Sequence, residues 1–420
     1  MENVYQTIKR DKQIWKFCFY GLLKNLKFFE PYLLIYLLGM GMSFFKIGIL
    51  YAIREIVTYI FEIPSGIFAD NYGKKKELMT CFAFYIISFI FFFIGTDIYI
   101  LILAMIFFGL GEAFRSGTHK AMIYSYLEQK NWFEYKTFVY GRTRSFSLIG
   151  SSISAFISII FILNVPSTRW IFLICIVPYI LDFLLISSYP ATLDERRESE
   201  LSFKNFFEAS IRHIKSIASN KLLEKILISS SLYDGIFKTI KDYIQPILKA
   251  TIIAVTVSSL QGINADSKVK IYLGVIYGIF YIFSSVASKN VYRLNRVFDS
   301  GKWMSIFFDI MAILSIALFI AIKNNVTIIV IAIFFLLYIL KDARRPLFVD
   351  VCGDYMNKTE RATVLSVDSQ LRALFTIIFA PVFGFIADNY SLEVLFLIIG
   401  VFIIIANRFL YISKDRLEEV

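Results

Sequence analysis

Apolar stretches long enough to cross a lipid bilayer recur along the whole chain. A membrane-spanning α-helix needs about 20 apolar residues in a row. We number such stretches as spans one to twelve, and they fall near residues 14–38, 47–68, 78–95, 98–122, 138–163, 169–188, 222–249, 271–290, 303–322, 326–348, 363–387 and 392–412. The chain has 420 residues, of which 57% are hydrophobic, and a soluble core has no use for so much apolar surface. We therefore predict an all-α polytopic membrane protein with about twelve transmembrane helices.

The basic residues lie mainly between the spans, and their distribution predicts the orientation. The formal net charge of +11 could suggest a nucleic-acid partner. The excess, however, falls in alternate connections such as 74–76 and 196–197, whereas the other connections hold few basic residues, among them Lys268 and Lys323. Cytoplasmic loops of membrane proteins carry this excess of lysine and arginine. We expect a multi-pass protein of the cell membrane with both termini in the cytoplasm and no nucleic-acid partner.

The longest polar insert, residues 190–221, divides the chain into two parts. Apolar residues recur in it at helical spacing beside Lys204, Arg212 and Lys215. This pattern predicts an amphipathic helix on the inner membrane surface. We expect an N-terminal six-helix half at 1–189, a cytoplasmic linker with this helix at 190–221, and a C-terminal six-helix half at 222–420.

The connection between spans two and three has a distinctive spacing. The pattern Gly66-x3-Asp70-x2-Gly73-x-Lys75 resembles the loop 2–3 signature of the major facilitator superfamily of secondary transporters. With Glu62 and Pro64 added, it is similar to the drug and tetracycline efflux branch of that superfamily. The resemblance implies the major facilitator fold, with two six-helix halves built from inverted three-helix repeats that give alternating access.

An internal echo agrees with inverted repeats. Residues 66–72 read GIFADNY at the end of span two, and residues 384–390 read GFIADNY at the end of span eleven. The alternative is coincidence in a sequence of low diversity. We predict that the first segment acts as a conformational latch that holds the outward-facing state. We expect Asp70 to accept hydrogen bonds or charge from the start of span eleven, in a latch comprising Asp70, Gly73, Lys74, Lys75 and Arg361.

Ionisable side chains are concentrated on a subset of the spans. Each costs a few kcal/mol at mid-membrane, so it should face the protein interior or a water-filled cavity. The resemblance places the charged spans around a central substrate cavity, for which we predict the residues Lys24, Lys27, Arg54, Glu112, Arg115, His119, Asp234, Lys238, Lys241, Asp242, Asp368 and Arg372. Many of them form pairs of opposite sign at helical spacing, and the alternative is that such pairs only neutralise one another within a helix.

Two acids of span two are the candidates for proton coupling. Glu55 and Glu62 share one helix face, and neither has a basic residue three or four positions away. A carboxyl group in a poorly hydrated site binds and releases protons near neutral pH. We therefore predict Glu55 and Glu62 as the proton-coupling residues.

The sequence leaves the transported molecule open. Our first hypothesis is proton-coupled export of a small organic solute or drug. Drug/proton antiporters of the resembling family carry an arginine where this chain has Met105, and a glycine-rich motif where it has Gly150-Ser-Ser-Ile-Ser. These departures keep open the alternative of proton-coupled uptake or exchange of an anionic or zwitterionic metabolite.

An enzyme is the hypothesis from another class, and the sequence disfavours it. It shows neither a Ser/His/Asp set, an HExxH motif nor a phosphate-binding glycine loop, and its four cysteines form no CxxC pair. We predict no enzyme activity, no cofactor and no metal site. The expected partners are the lipid bilayer, a small-molecule substrate and protons, and the chain is expected to be a monomer.

Overall fold

The computed structural model describes residues 2–194, 221–254, 265–290, 297–355 and 361–412. The predicted amphipathic helix of the linker lies outside these residues. Within the described residues the helices are α1 (Glu2–Arg10), α2 (Lys12–Leu23), α3 (Leu33–Gly39), α4 (Phe44–Tyr72), α5 (Lys74–Ile94), α6 (Ile98–Arg115), α7 (Thr118–Gln129), α8 (Lys136–Asn164), α9 (Trp170–Ser187), α10 (Lys221–Ile240), α11 (Ile244–Ala254), α12 (Ala265–Asn290), α13 (Ser300–Lys323), α14 (Thr327–Tyr355), α15 (Arg361–Asn389) and α16 (Leu392–Leu410).

Most spans are single helices, and three are broken. Span one consists of α2 and α3, span four of α6 and α7, and span seven of α10 and α11. The sequence predicted continuous helices in these three places, which was wrong. Hydropathy reports how apolar a stretch is and is insensitive to a local interruption of the backbone. Broken transmembrane helices are tolerated where the opened backbone is buried in protein or lines a water-filled cavity.

Eight helical segments in the described residues are long and apolar enough to cross a membrane by themselves. The spans that fall short are one, two, seven and ten, and each carries charges in or beside its apolar core. α4, for example, contains Arg54, Glu55 and Glu62, and α14 contains Arg344 and Arg345. Charged residues within a span are tolerated where they face protein or water.

The chain forms two compact units, which we call unit 1 and unit 2. Unit 1 comprises Met1–Tyr36, Ile53–Leu201 and Tyr277–Ile282, and unit 2 comprises Leu37–Ala52, Ser202–Ile276 and Phe283–Val420. The core of unit 1 is aromatic: Phe92 stacks on Phe172 with ring centroids 4.7 Å apart, and Tyr179 meets Phe89 edge to face at 4.9 Å. Such aromatic pairs contribute about 0.5–1.5 kcal/mol beyond their buried area.

Unit 2 packs its helices around small residues and a buried cation. A side chain at Gly400 of α16 would lie 2.9 Å from the backbone oxygen of Ala312 of α13, so this glycine lets the two helices approach closely. Arg344 of α14 is 2% exposed. Its guanidinium donates to the Ser229 hydroxyl at 2.8 Å and to the Met304 carbonyl at 3.3 Å.

Candidate functional site

A cavity of about 210 Å³ lies within unit 1. It is enclosed by the first half of span one, the break in span four and the first half of span five. The lining residues are Phe17, Tyr20, Gly21, Lys24, Arg115, Gly117, His119, Lys120, Ile123, Tyr140, Thr143, Arg144 and Ser147. A side chain at Gly21 would lie 2.8 Å from the Ser147 hydroxyl oxygen, so glycine lets α2 approach α8 and close one wall.

The break in span four forms another wall. α6 ends at Arg115, Gly117 has a φ of +76°, and α7 begins at Thr118. Glycine adopts this left-handed conformation without a steric penalty. The first backbone N–H groups of a helix have no partner within the helix, and Gly117 has no side chain with which to cap them. The start of α7 thus brings the positive end of a helix to the cavity wall.

Basic side chains dominate the cavity. Lys24 and Arg115 are half-buried, and Lys120 and Arg144 are exposed. Among the described lining residues none is an acid. The Lys24 ammonium lies 5.2 Å from the centre of the Tyr20 ring, and within the described part of the chain it makes neither a hydrogen bond nor an ion pair. The cavity therefore offers positive charge to a ligand.

One acid beside the cavity offsets part of that charge. The Glu112 carboxylate pairs with the Arg115 guanidinium and lies 3.5 Å from the Lys27 ammonium. Arg115 also donates to the Tyr85 hydroxyl at 3.2 Å. Because one carboxylate serves two basic groups, the cluster around the cavity keeps an excess of positive charge.

The floor of the cavity is aromatic. The Tyr20 and His119 rings are stacked with centroids 3.6 Å apart. His119 Nε2 lies 3.3 Å from the Tyr189 hydroxyl. The Tyr20 hydroxyl is buried and has no hydrogen-bond partner among the described residues. A buried hydroxyl of this kind normally has a partner, and in a lining residue a bound ligand or water can supply it.

The sequence prediction and the cavity overlap in part. Of the predicted substrate residues in unit 1, Lys24, Arg115 and His119 line the cavity, and Lys27 and Glu112 lie beside it. The sixth, Arg54, is not a lining residue and pairs with Glu55. Sequence reasoning missed Lys120 of span four and both Tyr140 and Arg144 of span five as lining residues. The available signal was the helical spacing of Tyr140, Thr143, Arg144 and Ser147, which puts a cation and three hydroxyls on one face.

Glu55 is not the partner-free acid that its spacing suggested. It is 4% exposed, and its Oε1 accepts hydrogen bonds from Arg54 Nε at 3.1 Å and Nη2 at 2.9 Å. No basic residue lies three or four positions from Glu55, but the long side chain of the adjacent Arg54 folds back along the helix surface and reaches its carboxylate. Glu62 Oε1 accepts from the Ser116 hydroxyl at 2.8 Å. Proton coupling through these two acids stays a prediction.

The predicted charges of unit 2 form a balanced network. Asp368 is fully buried and accepts hydrogen bonds from Arg345 and Arg372, both at 2.5 Å. Arg372 Nε lies 3.5 Å from the Asp234 carboxylate. Arg345 was not among the predicted substrate residues. Two acids thus face two arginines, an arrangement that favours mutual neutralisation more than the unit 1 cavity does.

The break in span seven carries the remaining predicted charges. Lys238 lies in the last turn of α10, and a 3₁₀ turn at Lys241–Tyr243 joins α10 to α11. Lys241 Nζ lies 3.0 Å from Asp242 Oδ1. Span seven is therefore interrupted, as span one is.

The structure describes some residues of the predicted latch but not the side chain of Arg361. Gly73 has a φ of +99° and precedes α5, which begins with Lys74. The Lys75 backbone N–H donates to Asp194 at 2.9 Å, so the carboxylate that caps this helix comes from the segment after span six and not from Asp70. Arg361 begins α15, and its side chain lies outside the described residues. The latch function stays a prediction.

Comparison with known proteins identifies the family. The sequence profile of the Major Facilitator Superfamily matches residues 17–264, which is more than half of the chain. The chain therefore belongs to the Major Facilitator Superfamily, and it is a membrane transporter and not an enzyme. It is 25% identical over 380 residues to the uncharacterized MFS-type transporter YxaM of Bacillus subtilis (strain 168), covering 90% of this chain and 89% of that protein.

Solved structures show the same fold. The nucleoside transporter NupG matches with a TM-score of 0.70 and 15% identity, covering 94% of this chain and 96% of that one. A bacterial homolog of the human lysosomal transporter Spinster matches with a TM-score of 0.72 and 12% identity, covering 97% of each chain. A D-xylose-proton symporter matches with a TM-score of 0.66 and 12% identity, covering 93% and 96%. The predicted major facilitator fold is confirmed.

Proposed function

We propose that this protein is a proton-coupled transporter of a small organic anion, which binds in the basic cavity of unit 1. The observation that carries the proposal is the lining of that cavity. Lys24, Arg115, Lys120 and Arg144 contribute basic groups, and no acid lies among the described lining residues. A hydrogen bond that involves a charged group contributes about 1.5–3 kcal/mol, so two or three of these groups are enough for specific binding of a carboxylate or phosphate.

The size of the cavity supports a small ligand. Pockets for drug-sized molecules measure about 300–1,000 Å³, whereas this cavity measures about 210 Å³. Its polar groups are also of the kind that recognises anions. Arg115 and Arg144 offer planar guanidinium groups that fit carboxylate and phosphate oxygens, and the start of α7 adds backbone N–H groups.

Export of a small organic solute or drug against protons is the second candidate. It is favoured by residues 62–76, which resemble the efflux branch of the superfamily. We include in the proposal the direction of transport and alternating access of the halves at 1–189 and 222–420. We also include a location in the cell membrane and a monomeric state. The cavity favours an anion over a lipophilic drug.

Ligand binding to the purified full-length chain tests the proposal. Citrate and inorganic phosphate serve as anionic probes, glucose as a neutral probe and tetraphenylphosphonium as a lipophilic cation. We expect at least one anion to raise the unfolding temperature, because a ligand that binds only the folded state stabilises it. Lys24→Gln and Arg144→Gln should each weaken that binding about tenfold to a hundredfold, since each removes a charged hydrogen bond.

Arg142→Gln is the matched control. Arg142 lies two positions before Arg144 on α8, but its guanidinium lies 4.5 Å from the Trp15 ring centre and donates to the Lys9 carbonyl at 3.1 Å. Anion affinity should stay within about twofold of the wild type in this variant, as for a surface change. Binding of tetraphenylphosphonium without any of the anions would overturn the proposal in favour of drug export.

A further inference from the structure

Asp182 is a buried acid in the middle of unit 1 that the proposed function has not used. It lies on α9, and its side chain is 0% exposed. Neither of its carboxyl oxygens has a hydrogen-bond partner among the described residues. By contrast, Asp309 of α13 accepts a hydrogen bond from Asn407 Nδ2 at 2.6 Å. Burial without a hydrogen bond is costly for a carboxylate and much less so for a neutral carboxylic acid.

The helix that carries Asp182 is fixed against the cavity wall. Tyr179, one turn earlier on α9, donates its hydroxyl to the Lys24 carbonyl at 3.1 Å. Lys16 of α2 donates to the Ser188 carbonyl at 2.7 Å just after the end of α9. These contacts hold Asp182 near the break in span one.

The groups that face Asp182 connect it to the cavity. Among the described basic groups, Lys24, which directly follows α2, interacts electrostatically with Asp182. The other titratable groups that interact electrostatically with it are Tyr20 of α2, Cys81 of α5 and Tyr189 after α9. Tyr20 and Lys24 line the cavity, and Tyr189 is hydrogen-bonded to His119. Asp182 therefore interacts electrostatically with Tyr20 and Lys24, two residues that line the cavity.

We propose that Asp182 is the proton-binding carboxyl group of this transporter and that its protonation makes Lys24 available to an anion in the cavity. This inference rests on the proposed function of the cavity. When Asp182 is a carboxylate, it attracts the Lys24 ammonium away from the ligand. When it takes up a proton, that attraction is lost and the ammonium is free to bind the anion. The step transfers one proton to one carboxylate and changes no other bond.

The mechanism fixes the sign of the coupling. Proton and anion favour each other's binding, because an anion that engages Lys24 removes the positive charge that stabilises the Asp182 carboxylate. Linkage is reciprocal, so the anion strengthens proton binding by the same factor by which the proton strengthens anion binding. Anion binding is therefore accompanied by proton uptake. The two ligands would cross the membrane together, and an inward proton gradient would drive uptake of the anion.

Infrared spectroscopy of the full-length protein in lipid tests the first half of the inference without any ligand. A protonated carboxyl group has its own carbonyl absorption band. We expect this band at neutral pH in the wild type, a loss of intensity in Asp182→Asn and an unchanged band in Asp309→Asn. Asp182→Glu keeps the carboxyl group and should keep the band at a shifted position. A wild-type band that is absent, or that Asp182→Asn leaves unchanged, would overturn the inference.

Proton uptake on anion binding tests the second half, with sulfate as the probe because its charge does not change near neutral pH. The wild type should bind sulfate more tightly as pH falls, by about fivefold to 150-fold across the titration of Asp182, and should take up protons from weakly buffered solution. Asp182→Asn should bind sulfate with a weaker pH dependence and should take up fewer protons than the wild type.

The possible failures are distinguishable. Proton uptake in Asp182→Asn equal to that of the wild type would overturn the role of Asp182 and leave the anion site standing. If sulfate, citrate and phosphate all fail to bind the wild type, the proposed function fails, and the infrared measurement still decides whether Asp182 holds a proton.

Discussion

At the scale of single residues, the two buried acids Glu55 and Asp182 differ in what surrounds them. Glu55 Oε1 contacts the Arg54 guanidinium at 3.1 and 2.9 Å. Asp182 has no hydrogen-bond partner among the described residues. The sequence separates these cases poorly, because it shows that both lie in apolar spans but not which side chains reach them. Arg54 is adjacent to Glu55, and helical geometry alone turns adjacent residues apart by about 100°.

Glu55→Gln should therefore act on stability and leave proton coupling in place. Replacing the carboxylate weakens a charged hydrogen bond, so we expect a loss of about 1.5–3 kcal/mol in the free energy of unfolding. Sulfate binding should keep its pH dependence. The checks are thermal unfolding with and without sulfate at several pH values. A stable Glu55→Gln protein whose sulfate binding no longer depends on pH would restore the prediction made from the sequence.

At the scale of helices, the second copy of the internal echo, residues 384–390, contains a residue that caps a helix in unit 2. Asp388, at the end of α15, accepts the Phe44 N–H at 2.9 Å and the Phe45 N–H at 2.8 Å, one on each carboxyl oxygen. These groups lie at the start of α4, where backbone N–H groups have no partner within the helix. A carboxylate is also stabilised at that end by the helix dipole.

We expect Asp388→Ala to loosen the start of α4. Loss of a capping side chain costs about 0.5–2 kcal/mol, which corresponds to about twofold to thirtyfold faster local opening. Hydrogen–deuterium exchange at Phe44 and Phe45 measures this directly. Asp388→Asn keeps one acceptor oxygen and should give an intermediate rate.

Asp97→Ala is the control for that experiment. Asp97 caps its own helix by accepting the N–H groups of Tyr99 and Ile100 at 2.8 and 3.1 Å. Its loss should speed exchange at the start of α6 and leave α4 unchanged. Equal exchange at Phe44 in the wild type and in Asp388→Ala would show that the cap does not stabilise α4.

At the scale of the whole molecule, the sequence predicted the fold and part of the site. Span positions follow from hydropathy, because only helices satisfy their own backbone in lipid. The charges of spans one and four led to Lys24, Arg115 and His119, all of which line the cavity. The sequence did not predict Arg144 as a lining residue, because it lies near the end of an apolar span. The sequence also did not predict the break at Gly117, because its φ of +76° is a property of the folded backbone.

Orientation in the membrane is the property of the whole molecule that the charge pattern predicts and labelling can test. Cysteines introduced at Asn164 and Lys323 should react with a membrane-impermeant thiol reagent added outside cells, whereas cysteines at Lys76 and Lys136 should react only after the membrane is opened. All four positions are exposed. The native cysteines Cys18, Cys81, Cys175 and Cys352 are buried, so they should contribute little background. The physical basis is the excess of lysine and arginine in cytoplasmic loops, and the opposite labelling pattern at either pair would reverse the topology.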